Sequence, residues 1–88
     1  MTIILDGKAM VDRPSAHSHL AERLDLPTWY GRNLDALFDV LTEIGRDTEI
    51  VLQAPAAVAE NLGRYGEALL RTMQEAAEDN PHLIFKLQ

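Results

Sequence analysis

Hydrophobic residues along the chain follow two spacings, and each spacing predicts a different kind of element. Short apolar runs predict three strands, at Thr2–Leu5, Glu49–Gln53 and Leu83–Leu87. Apolar residues at intervals of three and four predict four helices. These helices are expected from Pro14 to about Leu24, from Asn33 to near Gly45, over Pro55–Leu62 and over Tyr65–Asp79.

This order of elements predicts the fold class. Strands separated by helical segments require crossover connections, which produce a parallel sheet. Right-handed crossovers that advance in one direction place all the helices on one face. We therefore expect a two-layer α/β domain, a three-stranded parallel sheet packed against about four helices, over residues 1–88. Asp6-Gly7 also permits a short hairpin with Ala9–Val11 returning, although that run is only three residues long.

The helix that follows Asn33 has two opposite faces. Its apolar stripe has the i, i+3, i+4, i+7 spacing of a core-facing side and consists of Leu34, Leu37, Phe38 and Leu41. A row of carboxylates runs along the other side, at Asp35, Asp39 and Glu43, with Thr42 beside it. Like charges four residues apart on a helix destabilise it. The row is either a solvated face or, as we favour, a surface for a cationic partner.

Composition limits the possible chemistry. The 88 residues carry a net charge of −6 and no cysteine, which excludes disulfides and thiol catalysis. An acidic surface disfavours nucleic acid and acidic lipid and attracts basic proteins. No apolar run approaches the roughly 20 residues of a membrane span, so we expect a cytoplasmic protein. His17 and His19 would point about 200° apart on a helix and could not bind one ion together, so no metal site is expected. No cofactor is expected either.

The segment Leu26–Thr42 resembles the barstar family, intracellular inhibitors of barnase-type ribonucleases. The resemblance covers the whole chain, and its central motif is the specific part. The matching residues are Leu26-Pro27, Tyr30-Gly31, Asn33 to Leu37, Asp39, Leu41-Thr42, and outside the motif Asp6-Gly7, His17 and Glu75-Ala76.

The resemblance implies a three-stranded parallel sheet and a binding face on the loop and helix around Asn33. Together with the acidic row, the candidate face comprises Trp29, Asn33, Asp35, Ala36, Phe38, Asp39, Thr42, Glu43 and, from the last helix, Glu75. The chain departs from the family pattern at Trp29, Phe38 and Glu43-Ile44. The carboxylates are kept while the aromatic rim differs, which bears on the choice of nuclease.

Such an inhibitor blocks substrate by occupancy, with no catalysis of its own and with one basic secreted ribonuclease per monomer. Three residues have structural alternatives: Trp29 could pack back as a hydrophobic staple, Phe38 could belong to the core, and Glu75 could pair with Arg71.

Two alternatives concern function. Asp35 and Asp39 could form an enzymatic carboxylate pair, but no nucleophile or base lies near them in sequence. A barstar-like fold could also bind a different basic partner, such as another nuclease toxin or a regulatory protein.

Overall fold

The computed structural model describes every residue from 1 to 88 and contains three strands and four helices. The strands are β1 (Thr2–Asp6), β2 (Thr48–Gln53) and β3 (Leu83–Leu87). The helices are α1 (Arg13–Arg23), α2 (Leu34–Thr42), α3 (Pro55–Leu62) and α4 (Arg64–Asp79). None of the four helices has both the length and the apolar character needed to cross a membrane.

The three strands form one parallel sheet in the order β1-β2-β3. Ile50 in the central strand lies beside Ile3 on one side and beside Phe85 on the other. Side chains of β2 alternate between buried and partly exposed, because one face of the sheet is covered by helices and the other is open. The open face carries an ion pair between Lys86 and Glu49, with nitrogen and oxygen 3.0 Å apart. The predicted two-layer α/β domain is confirmed.

A single core lies between the sheet and the helices and contains fourteen buried apolar residues. Helix α2 contributes Leu37 and Leu41, and α4 packs against α2 with Leu69, Met73 and Ala76 buried. Leu34 and Phe38, the other two residues of the predicted stripe, are partly buried and border this core, as does Ala77 of α4. The inner face of α2 is therefore held firmly, and its opposite side is left at the surface.

The permitted hairpin after β1 does not form. The segment Gly7–Ala9 is instead a turn of 3-10 helix. The carboxylate of Asp6 accepts a hydrogen bond from the backbone N–H of Lys8, at 2.9 Å. This local bond turns the chain toward α1, so Ala9–Val11 does not return alongside β1.

Helix α2 ends at Thr42, earlier than the predicted end near Gly45. The hydroxyl of Thr42 donates to the carbonyls of Phe38 and Asp39, at 2.9 and 3.1 Å. The buried amide of Asn80, which follows α4, donates to the carbonyl of Leu41 at 3.0 Å and to that of Ile44 at 2.9 Å. The helix stops early because a distant side chain binds the carbonyls that a further turn would have used.

Candidate partner-binding face

Asn33 fixes both the start of α2 and the end of the loop before it. Its side-chain oxygen accepts a hydrogen bond from the backbone N–H of Ala36 at 2.8 Å, which caps the first turn. Its side-chain nitrogen donates to the carbonyl of Gly31 at 3.2 Å. The helix begins where the sequence predicts, and the same amide joins the loop to it. Because both polar atoms are engaged, Asn33 positions its neighbours and lies exposed at the edge of the face.

The acidic row, which consists of Asp35, Asp39 and Glu43, is exposed to solvent along α2. The molecule contains an ion pair between Lys86 and Glu49 and a hydrogen bond between His82 and Asp47, and neither involves the row. Asp35 lies in the first turn, where the helix dipole favours a negative charge. Glu43 caps the opposite end, where the dipole disfavours one, and no basic residue lies in the last turn. No carboxylate of the row therefore forms an ion pair within the domain.

Four of the predicted residues line one pocket of about 300 Å³ between the loop and α2: Trp29, Ala36, Asp39 and Glu43. We call it the tryptophan pocket; Tyr30, Gly31 and Val40 complete it. The side chain of Trp29 is 79% exposed, which rules out the alternative that it packs back on the domain. An aromatic wall beside two carboxylates suits an arginine or lysine side chain, through hydrogen bonds and a cation–π contact.

The remaining predicted residues lie outside that pocket. Asn33 and Asp35 line a second pocket at the start of α2. Phe38 is partly buried against the core, so most of its side chain packs inside the domain, as the structural alternative for this residue proposed. The hydroxyl hydrogen of Thr42 is used within the helix, which leaves its oxygen able to accept a bond. Glu75 is exposed on α4 and forms no ion pair with Arg71.

A buried histidine holds the loop that carries Trp29. The two ring nitrogens of His17 lie 2.8 Å from the hydroxyl of Tyr30 and 2.6 Å from that of Tyr65. This network joins α1, the loop and α4 in one place. Burial raises the pKa of Tyr30 to about 12. His17 and Tyr30 are both core residues, at most 5% exposed.

Arg32 is a residue that the sequence analysis missed. It adopts φ 54, a left-handed conformation that is uncommon for a residue with a side chain. Its guanidinium donates to the carbonyl of Pro14, at 3.2 Å, and to the hydroxyl of Ser18. These bonds tie the loop to α1 and offset the backbone strain just before the cap. Its position directly before Asn33 was the sequence signal, because the backbone conformation of that residue sets the direction in which the chain enters the helix.

These features define a small two-layer α/β domain whose central helix presents unpaired carboxylates beside an exposed tryptophan. The chain belongs to the barstar family: the family model described as Barstar (barnase inhibitor) matches residues 1–87. It is also similar to a Bacillus subtilis (strain 168) protein named "Putative ribonuclease inhibitor YrdF". The two are 38% identical over 78 residues, which cover 88% of this chain and 86% of the relative.

Proposed function

We propose that this chain is a protein inhibitor of a barnase-type ribonuclease and that it blocks the cationic active site with the acidic face of α2. Membership of the barstar family and the name of the B. subtilis relative support an inhibitor rather than an enzyme. On this proposal one chain binds one nuclease in the cytoplasm and protects the cell that produces it. The observation that carries the proposal is the exposed, unpaired Asp39 beside Trp29.

The chemistry follows from what a ribonuclease must do. Its active site holds the scissile phosphate with arginine, lysine and histidine side chains. A carboxylate on a rigid helix can accept the charge-assisted, bidentate hydrogen bonds that are meant for that phosphate. Asp39 is central in the acidic row and takes this role. Asp35 pairs with a second cation nearer the start of the helix, and Trp29 supplies an aromatic contact of the kind enriched in hot spots.

The other residues of the face have smaller roles in this proposal. Ala36 leaves space for the partner beside Asp39, and the edge of Phe38 adds apolar contact. The oxygen of Thr42 accepts one hydrogen bond. Glu43 and Glu75 extend the negative surface and act mainly on the rate of encounter.

The test is a titration of the chain into a barnase-type ribonuclease while RNA cleavage is followed. We expect stoichiometric inhibition by the wild-type chain. Asp39→Ala should weaken binding by more than about 2 kcal/mol, because it leaves buried cations of the nuclease without a partner. Glu60→Ala is the matched control, since it removes one exposed charge from α3 and should change binding by less than about 0.5 kcal/mol.

The outcomes separate two readings of the same fold. Equal, small effects of the two variants would contradict the role of Asp39. A folded wild-type chain that leaves every barnase-type nuclease active would move the search to a different basic partner. A pull-down comparing the wild-type chain with Asp39→Ala would then identify proteins that depend on this carboxylate.

A further inference from the structure

The second pocket, at the start of α2, carries positive charge in an acidic protein. It has a volume of about 550 Å³ and is lined by Arg13, Pro14, His17, Arg32, Asn33, Leu34, Asp35 and Tyr65. We call it the arginine pocket. Neither of its arginines forms an ion pair with a carboxylate of this chain. Asp35 is the one carboxylate on the lining and forms no ion pair with either arginine, so the two guanidinium groups leave the lining with a net positive charge.

Contacts within the fold hold both guanidinium groups in place. Arg32 donates from one terminal nitrogen to the carbonyl of Pro14 and to the hydroxyl of Ser18. Arg13 lies over the ring of Tyr65, with its central carbon 4.1 Å from the ring centroid. Each guanidinium has five N–H donors, so these contacts leave donors free to bind an anion. The fork is already oriented, and little conformational freedom is lost when an anion binds.

The positive charge of these arginines affects the pKa values of His17 and Tyr65, which line the same pocket. The pKa of His17 is lowered by burial and, to a smaller extent, by the nearby positive charge of Arg32. The pKa of Tyr65 is raised by burial, and the positive charge of Arg13 opposes that rise. Both effects have the sign expected of a positive potential inside the pocket. The N-terminal end of α2, which the dipole makes positive, opens beside it.

The arginine pocket is continuous with the candidate face, because Asn33 and Asp35 belong to both. A partner that covers the acidic row therefore also covers the mouth of this pocket. On the proposed function a cation of the partner pairs with Asp35, so covering the two guanidinium groups without a further negative charge would cost free energy. A partner that fits must offer a negative group there, next to the cations that meet Asp35 and Asp39.

We propose that the arginine pocket receives an acidic side chain of the same nuclease whose cations face Asp35 and Asp39. This inference rests on the proposed function and adds a determinant of partner choice. The preferred nuclease has a carboxylate on the rim of its cationic cleft, placed to reach Arg13 and Arg32. A nuclease with a lysine or arginine at that rim position is rejected by like-charge repulsion.

The experiment starts from a panel of catalytically inactive barnase-type ribonucleases and uses the one that binds the wild-type chain most tightly. The dissociation constant of its complex is measured with each variant of the chain. Arg13→Glu should weaken binding at least roughly tenfold, because it opposes the incoming carboxylate. Arg13→Lys, which keeps the charge, should recover most of the affinity. Arg46→Glu is the matched control: it makes the same change in net charge beyond the other end of α2 and should alter affinity by no more than about twofold.

The contact on the nuclease is found by replacing its rim carboxylates with glutamine, one at a time. One replacement should weaken binding to the wild-type chain and have no further effect on Arg13→Glu. Thermal unfolding of each variant separates loss of binding from loss of folding.

If Asp39→Ala weakens binding while Arg13→Glu behaves like Arg46→Glu, this inference is overturned and the proposed function stands. If the wild-type chain shows no Asp39-dependent binding to any member of the panel, both proposals are overturned.

Discussion

His17 is a buried titratable residue at the centre of a hydrogen-bonded network. Its ring nitrogens meet the hydroxyls of Tyr30 and Tyr65, and Arg32 and Arg13 are the charged groups beside this network. In the neutral ring one nitrogen donates a hydrogen bond and the other accepts one, so the two tyrosines take opposite roles. Protonation would make both nitrogens donors and would place a third positive charge beside two arginines. Burial, with Arg32, therefore lowers the pKa of His17.

This lowered pKa predicts a dependence of stability on pH. As the pH falls below 6.5, the ordinary pKa of histidine, the unfolded chain binds a proton before the folded chain does. The free energy of unfolding should therefore decrease below pH 6.5 and level off below the folded-state pKa. Denaturant unfolding of wild type and His17→Gln across this range checks it. The variant keeps the other two histidines, so equal pH dependence in the two proteins would contradict the assignment to His17.

At the scale of elements, α2 owes its position to contacts at both ends. Its start and its two faces could be predicted from the sequence, because the asparagine cap and the apolar spacing are local signals. Its end could not, since the amide of Asn80 reaches the carbonyls of Leu41 and Ile44 from beyond α4. The arginine pocket was missed for the same reason. Arg13 and Arg32 lie on different elements and meet only when α1 packs beside the loop.

The cap of α2 gives a prediction about the stability of the domain. Asn33→Ala should lower the free energy of unfolding by about 1 kcal/mol, because the N–H of Ala36 loses its partner. Asn33→Asp should restore most of that stability, since aspartate is an equally good cap. The denaturant midpoint of each variant measures the effect. Unchanged stability in the alanine variant would mean that solvent or another group replaces the cap.

At the scale of the whole molecule, charge is concentrated more than its count suggests. Each half of the chain carries seven acidic and four basic residues, yet residues 33–49 contain five acids and one base. The molecule measures 31 × 28 × 19 Å, and charges are screened over about 10 Å at 0.1 M salt. An approaching protein near α2 therefore responds mainly to the acidic row and to the arginine pocket beside it. The surface is bipolar, so the proposed partner would be oriented as well as attracted by it.

This distribution predicts how salt affects association with a barnase-type ribonuclease. The association rate constant should fall as sodium chloride is added, because screening weakens the attraction between the acidic row and a cationic cleft. The dissociation rate constant should change little if, as proposed, Asp39 makes close contacts that the complex shields from solvent. Asp39→Ala should instead raise the dissociation rate constant and keep most of the salt dependence of association. Stopped-flow measurement of both rate constants over a range of salt tests this. An association rate constant that does not respond to salt would contradict steering by the acidic row, even where inhibition itself is observed.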